Sequence, residues 1–332
     1  MKKAGELLKR PLAGIIASIG ITLLIVTLSR MPLATLLSIP LPLILLSLGL
    51  CASRLLAQGL RFHILVRHHS SVRIGLGEAF MVRGVSEFFA LTTIPFIADE
   101  VVRAWILTDK GEETVTATLI AFAELILDVL VSATMAFIAG VAALTRGEMG
   151  VAMVLFTIPA SQLALIITLA LQTRHHGLER LLSPTGWLRR RIPIGERLLN
   201  ILRHVGTGSS KFLEALTVGR GKAILAALLA VTVAVMSIPA VTLYIVLSRY
   251  TVISFIDALF AFHAGNVLGV LPVTAGGSGL TEAGAYLYSS RILEVDSWEA
   301  VVLWRILTYY LTILVTGVMF AYYSQRMVRQ KA

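Results

Sequence analysis

Apolar residues run along this chain in long blocks, separated by short polar and basic joints. A helix crosses the hydrocarbon of a bilayer in about 20 residues. On that measure, full spans are predicted at about Pro11 to Leu28, Leu36 to Leu60, Thr114 to Leu144, Gly150 to Leu171, Lys222 to Leu247 and Trp298 to Tyr323. Two other blocks are punctuated in the middle. The first, residues 76–108, breaks at Thr92, Thr93 and Pro95, just before the charged cluster of Asp99, Glu100 and Arg103. The second, residues 254–290, contains VLPVTAGGSGLTEAGAYL, with Pro272, Gly276, Gly277 and Gly279 ahead of Glu282. Irregular backbone at membrane depth has to be buried in protein or line a wet cavity, because lipid cannot satisfy its N–H and C=O groups. Each broken block is therefore predicted to be a re-entrant helical hairpin.

The basic residues orient these elements. With the N-terminus inside and both hairpins returning to the side they entered from, 21 Lys and Arg fall in inside segments and 4 (Arg30, Arg146, Arg249 and Arg291) in outside loops. That asymmetry follows the positive-inside tendency. Making only the first block a full crossing would put the basic 172–221 segment outside. That segment is predicted to be cytoplasmic. Within it, WLRRRIPIGERLLNILRHV spaces Ile194, Leu198, Leu202 and Val205 as one face of an interfacial amphipathic helix. The expected fold is all-α and polytopic, with six full spans and two oppositely oriented hairpins in a single transmembrane domain, 1–332.

Composition narrows the class further. Of 332 residues, 57% are hydrophobic and 14% charged, against roughly 25% charged in soluble domains. The mean hydropathy is +0.84. The net charge of +10 is read as basic loops meeting anionic headgroups, since no nucleic-acid recognition module accompanies it. The first span is too long, and lacks the cleavage site, for a removed signal peptide. A single cysteine, Cys51, makes no internal disulfide. No GxxxxGK[ST] phosphate loop occurs, which argues against ATP hydrolysis, and no cofactor is expected.

The two hairpins share a layout. In each, an acid (Glu78 or Asp257) opens a helix, a breaker follows, and a carboxylate (Glu100 or Glu282) starts the return arm. Each is followed by one full span bearing a charge, Glu124 in one and Arg305 in the other. Entering from opposite sides, the copies form an inverted repeat, and broken helices in matching positions point to a transport site where the breaks meet.

Ionisable groups inside the membrane are costly and mark sites or locking ion pairs. They are Arg54, Arg83, Glu87, Asp99, Glu100, Arg103, Glu124, Asp128, Glu282 and Arg305. Glu124 and Asp128 share one helix face, and Arg103 can pair with Asp99 or Glu100 within a turn. A helix starting near Ser278, as N-cap, would offer bare N–H groups to an anion approaching Gly276, Gly277 and Gly279. The same glycines equally serve a tight turn between close-packed helices. His263 and Asn266 either line the cavity or cap and pack. His68–His69 and His175–His176 lie in polar joints without metal-site spacing.

The run from Gly276 to Glu282, GGSGLTE, resembles the Gly-Gly-x-Gly-x-x-Glu signature of flippase-like membrane proteins related to the lysylphosphatidylglycerol synthase transmembrane region. Pro272 matches that family's preceding prolines loosely, and Ala275 stands where a second is usual. Pro95, Asp99-Glu100 and Arg103 are similar to its first hairpin, with aspartate in place of glycine. Glu124 and Asp128 keep the acids of its Glu-Arg-x-x-Asp helix, with Leu125 for the arginine, and Arg305 also fits.

The resemblance implies a lipid translocase in the cytoplasmic membrane of a prokaryote, with both termini inside. It would move a phospholipid or polyprenyl-phosphate-type lipid through a polar cavity between the hairpins. Arg103, Gly276, Gly277, Ser278, Gly279, Glu282 and Arg305 would meet the headgroup, which is anionic or zwitterionic. Glu87, Asp99, Glu100, Glu124, Asp128 and Asn266 would line the cavity or couple the step. The expected partners are membrane lipids and a second copy or a lipid-modifying enzyme. The sequence carries no soluble aminoacyl-transferring domain, so lysyl transfer is not expected of it. Two other readings stay open: a membrane enzyme or accessory subunit acting on lipid-linked substrates in envelope glycolipid synthesis, and a non-transporting scaffold.

Overall fold

A computed structural model describes residues 2–32, 39–93, 98–174, 219, 221–271 and 273–331. Among them every regular element is helical. In chain order these are α1 (Lys2–Leu28), α2 (Leu41–His69), α3 (Leu76–Thr92), α4 (Ala98–Asp109), α5 (Thr114–Thr145), α6 (Met149–Arg174), α7 (Gly221–Leu247), α8 (Phe255–Gly269) and α9 (Leu280–Ile292). Then α10 (Trp298–Arg305) passes through a π turn, Ile306–Tyr310, into α11 (Leu311–Lys331). Among the described residues, five helices are long and apolar enough to cross a membrane: Pro11–Leu28 of α1, α2, α5, α7, and Trp298–Met327 of the last rod. The protein is a multi-pass membrane protein. In α6, the fourth expected span, the shorter stretch Met149–Ala164 is apolar. The amphipathic stretch in 172–221, Pro95 and Pro272 lie outside the described residues.

The local sequence explains where helices start and stop. Pro40 is the N-cap of α2 and Pro42 lies in its first turn, where no N–H donor is needed. The helix does not end near Leu60, as the polar run RFHILVRHH predicts, but continues to His69. Nothing in that run breaks a helix, and basic side chains in the last turn suit the C-terminal end of the dipole. Arg61 thereby moves from an expected loop into the bundle, completely buried. Helix α8 opens on a capping box between Ser254 and Asp257, which satisfies two donors reciprocally.

Among the described residues, the two larger of four apolar clusters hold the helices together. Alanines of α5 (Ala136, Ala139 and Ala143) join Ala240 and Leu243 of α7, Ala261 and Val267 of α8, and Trp304. Small residues let helix backbones approach where lipid offers no hydrophobic drive to associate. The second core gathers Phe62 and Leu65 of α2, Val82 of α3, Ile106 and Leu107 of α4, and Ile120 of α5. The outer face of α1, with Leu12, Ile16, Leu24 and Leu28, is exposed and apolar, the surface a lipid-solvated helix presents.

Both broken blocks fold back as antiparallel helix pairs. Lys110, just past α4, pairs with Glu78 at the start of α3. Gly265 and Gly269 of α8 lie against Thr281 and Ala285 of α9 so closely that a Cβ on Gly269 would sit 2.1 Å from Thr281 Oγ1. The outer ends of the pairs lie with different neighbours. Glu112 receives hydrogen bonds from the Ser71 N–H (2.7 Å) and Val72 N–H (3.2 Å), tying the α4–α5 turn to the end of α2. Arg146, at the far end of α5, donates to the Ile292 carbonyl and lies 3.7 Å from Asp257.

Candidate functional site

Four helices bring their charges together. Glu124 and Asp128 lie one turn apart on α5, so a single guanidinium can span both. Arg61 of α2 does so. Its Nε donates to Glu124 at 2.9 Å and its Nη2 to Asp128 at 3.0 Å, while Nη1 bonds Asp128 and Thr232 Oγ1 of α7. The other oxygen of Glu124 lies 3.3 Å from Arg103 Nε and 3.6 Å from Arg83 Nη1. Arg103 also holds Asp99 at 2.8 Å and Glu100 at 3.1 Å, and donates to the Ala121 carbonyl at 3.4 Å. Arg83 reaches Glu87 at 3.4 Å and Asp99 at 3.5 Å. Glu87 takes Arg54 at 2.9 Å and Gln58 Nε2 at 3.3 Å. The result is one continuous chain of ion pairs from Arg54 to Asp128. Removing water from such charges offsets most of their attraction, so the network's chief effect is to fix which helix faces meet.

A second arrangement holds the glycine turn. Gly276 (φ 55), Gly277 (φ 67) and Gly279 (φ 85) all take left-handed backbone, which suits glycine. A Cβ on Gly276 would lie 2.4 Å from Tyr309 Oη and 2.5 Å from the Leu91 carbonyl oxygen. The N-cap of α9 is Gly279, one residue later than expected. Its N–H donates to Glu282 at 2.7 Å. Ser278 is buried and its Oγ makes no hydrogen bond among the described residues. Glu282 in turn lies 2.9 Å from Arg305 Nε, whose Nη2 donates to the Gly276 carbonyl at 2.7 Å. The Arg305 guanidinium also stacks 3.8 Å from the centroid of Tyr309, an attractive placement over the ring face.

The two breaks touch. The Gly276 N–H donates to the Thr93 carbonyl at 3.2 Å. Tyr309 Oη donates to the Leu91 carbonyl at 2.6 Å and shares a 2.9 Å hydrogen bond with Ser18 of α1. Tyr310 Oη bonds Thr22 at 2.6 Å and the Ser18 carbonyl at 2.8 Å. The π turn aims both tyrosines this way, and such turns recur at functional sites.

Beside the contact is a cavity of about 170 Å³. Arg54, Arg83, Arg305, Glu87, Asp99, Glu100, Asp128, Asn266 and Gly276 line it, with Val235, Met236, Pro239, Phe262 and Trp304 as its apolar wall. Asn266 Nδ2 donates to Ser132 at 2.8 Å, and His263 packs behind on the same hydroxyl at 3.3 Å. Of the expected headgroup contacts, Arg305 and Gly276 border the cavity. Arg103 is turned away into the ion network, and Glu282 is engaged with Arg305 and Gly279. The N–H groups of Gly276, Gly277, Ser278 and Gly279 are all bonded within the protein, to Thr93, Thr274, Ala275 and Glu282. They are not held open for an anion: the turn closes three of them on itself and on Glu282, and Thr93 at the end of α3 takes the fourth. Glu87, Asp99, Glu100, Asp128 and Asn266 do line the cavity, while Glu124 is completely buried behind it.

Sequence reasoning missed Arg61, Gln58, Tyr309 and Ser18. For the first two a signal existed: Arg54, Gln58 and Arg61 repeat at helical spacing, so a longer second span puts all three on one face. Tyr309 follows Arg305 by one turn. Ser18 carries no such mark.

The model of a family described as the lysylphosphatidylglycerol synthase TM region matches residues 15–316. No curated protein matches the chain.

Proposed function

The chain belongs to the lysylphosphatidylglycerol synthase TM-region family, and from that premise we propose that it is a lipid translocase. It passes the headgroup of a phospholipid or polyprenyl-phosphate-type lipid through the polar cavity while the acyl or prenyl tails stay in the bilayer. The observation that carries this reading is the cavity itself. Arginines, carboxylates and apolar side chains line it together, and Leu91 and Gly276, from the two touching helix breaks, border it. Discontinuous helices meeting at a polar cavity are the recurring plan of secondary transporters.

On this reading α3–α4 and α8–α9 are re-entrant hairpins of opposite orientation, and α3–α5 and α8–α11 are inverted copies. Arg54, Arg83 and Arg305 meet the phosphate. The carboxylates hold those arginines in place and keep the empty cavity close to neutral. The glycine turn with Glu282 forms the tip that shifts against Thr93 as the lipid passes. The protein works as a transporter of the cytoplasmic membrane, with both termini inside, and does not alter its lipid covalently.

The test is lipid movement in liposomes holding the purified protein, followed with a fluorescent phospholipid and an impermeant quencher. The protein should speed equilibration between leaflets, and Arg305→Ala should slow it. Equal rates with and without protein, for phospholipid and polyprenyl-phosphate probes alike, would sink the proposal.

A further inference from the structure

The ion network is one positive charge short. Among the described residues it joins five carboxylates to four guanidiniums. Glu282 and Arg305 cancel each other separately. Residues 94–97, just before α4, are Ile, Pro, Phe and Ile and add no charge.

The shortage falls on one place. Arg54 holds Glu87 at 2.9 Å and Arg61 spans Glu124 and Asp128, while Arg83 stands 3.4–3.6 Å from Glu87, Asp99 and Glu124 and Arg103 lies 3.3 Å from Glu124. Asp99 and Glu100 are left to share Arg103 as their close partner, with Arg83 farther off from Asp99 at 3.5 Å. They are adjacent and buried, 9% and 2% exposed. Among the described residues, Asp99 Oδ1 and Glu100 Oε2 each find no hydrogen-bond partner. A third bare acceptor is independent of the acids. Gln58 of α2 is 2% exposed, lines the same cavity, and its Oε1 receives no hydrogen bond from the described residues.

Two carboxylates in one buried site cannot both ionise without compensation. The start of α4 favours negative charge on both, but it is one helix end for two acids. No group of three or more His, Cys, Asp and Glu among the described residues is arranged for a metal ion. Bare acceptors plus one surplus negative charge leave a proton as the fitting ligand.

We propose that Asp99 and Glu100 hold one exchangeable proton between them, and that its uptake from and release to cavity water drive or gate lipid movement. On uptake, a hydronium ion in the cavity gives its proton to a carboxylate oxygen and is left as water, and the new O–H then donates to a bare acceptor. On release the bond reverses and the pair carries its full negative charge, which strengthens its hold on Arg103 and Arg83. Coupling rests on the translocase reading; the proton site does not.

Infrared spectroscopy of the purified full chain in lipid nanodiscs tests the site without transport. The wild type should show a protonated-carboxyl absorption at neutral pH that disappears in alkali. Asp99→Asn and Glu100→Gln should each abolish it, because either change balances the remaining charges. Absence of the band from the wild type, which needs no variant to fold, would overturn the proposal, as would its survival in both variants. Loss of the band on adding sodium chloride but not choline chloride at fixed pH would reassign the site to sodium and overturn it too. A pH gradient imposed on liposomes should change the lipid-movement rate severalfold, and a rate indifferent to the gradient would remove the coupling. A band without lipid movement leaves the proton site standing and sinks the translocase; lipid movement without a band does the reverse.

Discussion

Arg61 and Glu124 are both completely buried, and their side chains meet at 2.9 Å. Neither charge touches solvent, so each is tolerable only because opposite charges meet it: Glu124 and Asp128 for Arg61, and Arg61, Arg103 and Arg83 for Glu124. Arg61→Met should lower stability by about 3–5 kcal/mol, the usual cost of leaving a buried partner uncompensated. The double variant Arg61→Met with Glu124→Gln should recover part of that loss. Arg61→Lys should not, because one ammonium cannot reproduce the separate bonds to Glu124, Asp128 and Thr232. Thermal unfolding in detergent, followed by tryptophan fluorescence, measures all three.

Arg305 joins Glu282, the Gly276 carbonyl and the Tyr309 ring, so it clamps the glycine turn to the last rod. Arg305→Ala frees the turn and strands Glu282, while Arg305→Lys keeps the charge but not the geometry. Both should reduce lipid movement about tenfold or more, the factor set by roughly 1.4 kcal/mol. A smaller loss in Arg305→Lys than in Arg305→Ala would indicate that charge outweighs geometry here. The liposome assay reads both variants against the wild type.

Gly276→Ala should destabilise the protein by about 2–4 kcal/mol, from left-handed backbone strain and overpacking together. The added methyl would meet Tyr309 Oη and the Leu91 carbonyl. A methyl on Gly49 of α2, by contrast, would meet nothing within 4 Å. Gly49→Ala should therefore be neutral or up to about 1 kcal/mol stabilising. Melting temperatures of the pair separate a turn glycine from an ordinary helical one.

Glu112 lies in the turn between α4 and α5, beyond the membrane-spanning segments. Burial alone would raise its carboxyl, but hydrogen bonds from Ser70 Oγ, the Val72 and Ser71 N–H groups and Ser71 Oγ bring it below the ordinary 4.5. A lowered folded value means its stabilisation is intact above pH 4.5 and is lost as pH falls through that lower value. Between roughly pH 5 and pH 3 the wild type should lose melting temperature faster than Glu112→Gln. Equal slopes would show that the hydrogen bonds to Glu112 carry no pH-dependent stability.

The proposed orientation puts the α7–α8 turn outside and the α4–α5 turn inside. In a Cys51→Ser background, an impermeant thiol reagent added to intact cells should label Val252→Cys and spare Thr114→Cys. The reverse pattern would invert the topology.

From the amino-acid order alone follow the solvent of this protein and the rough position of its helices. Apolar blocks of bilayer length admit one class of fold, and the glycines and acids inside two of them marked the breaks before any contact was known. The local pairs follow as well: Glu124 with Asp128 on one face, and Arg103 within a turn of Asp99 and Glu100, need helical periodicity and nothing more. What those charges face is a matter of tertiary structure. Whether Arg61 ends in a basic loop or neutralises two acids depends on α5 packing beside α2, because a buried charge is tolerable only where a partner from another helix meets it. The glycine turn was ambiguous for the same reason. Its N–H groups could bind an anion or the protein itself; three of them close locally, on Thr274, Ala275 and Glu282, and the approach of Thr93 from a distant part of the chain settled the fourth, that of Gly276.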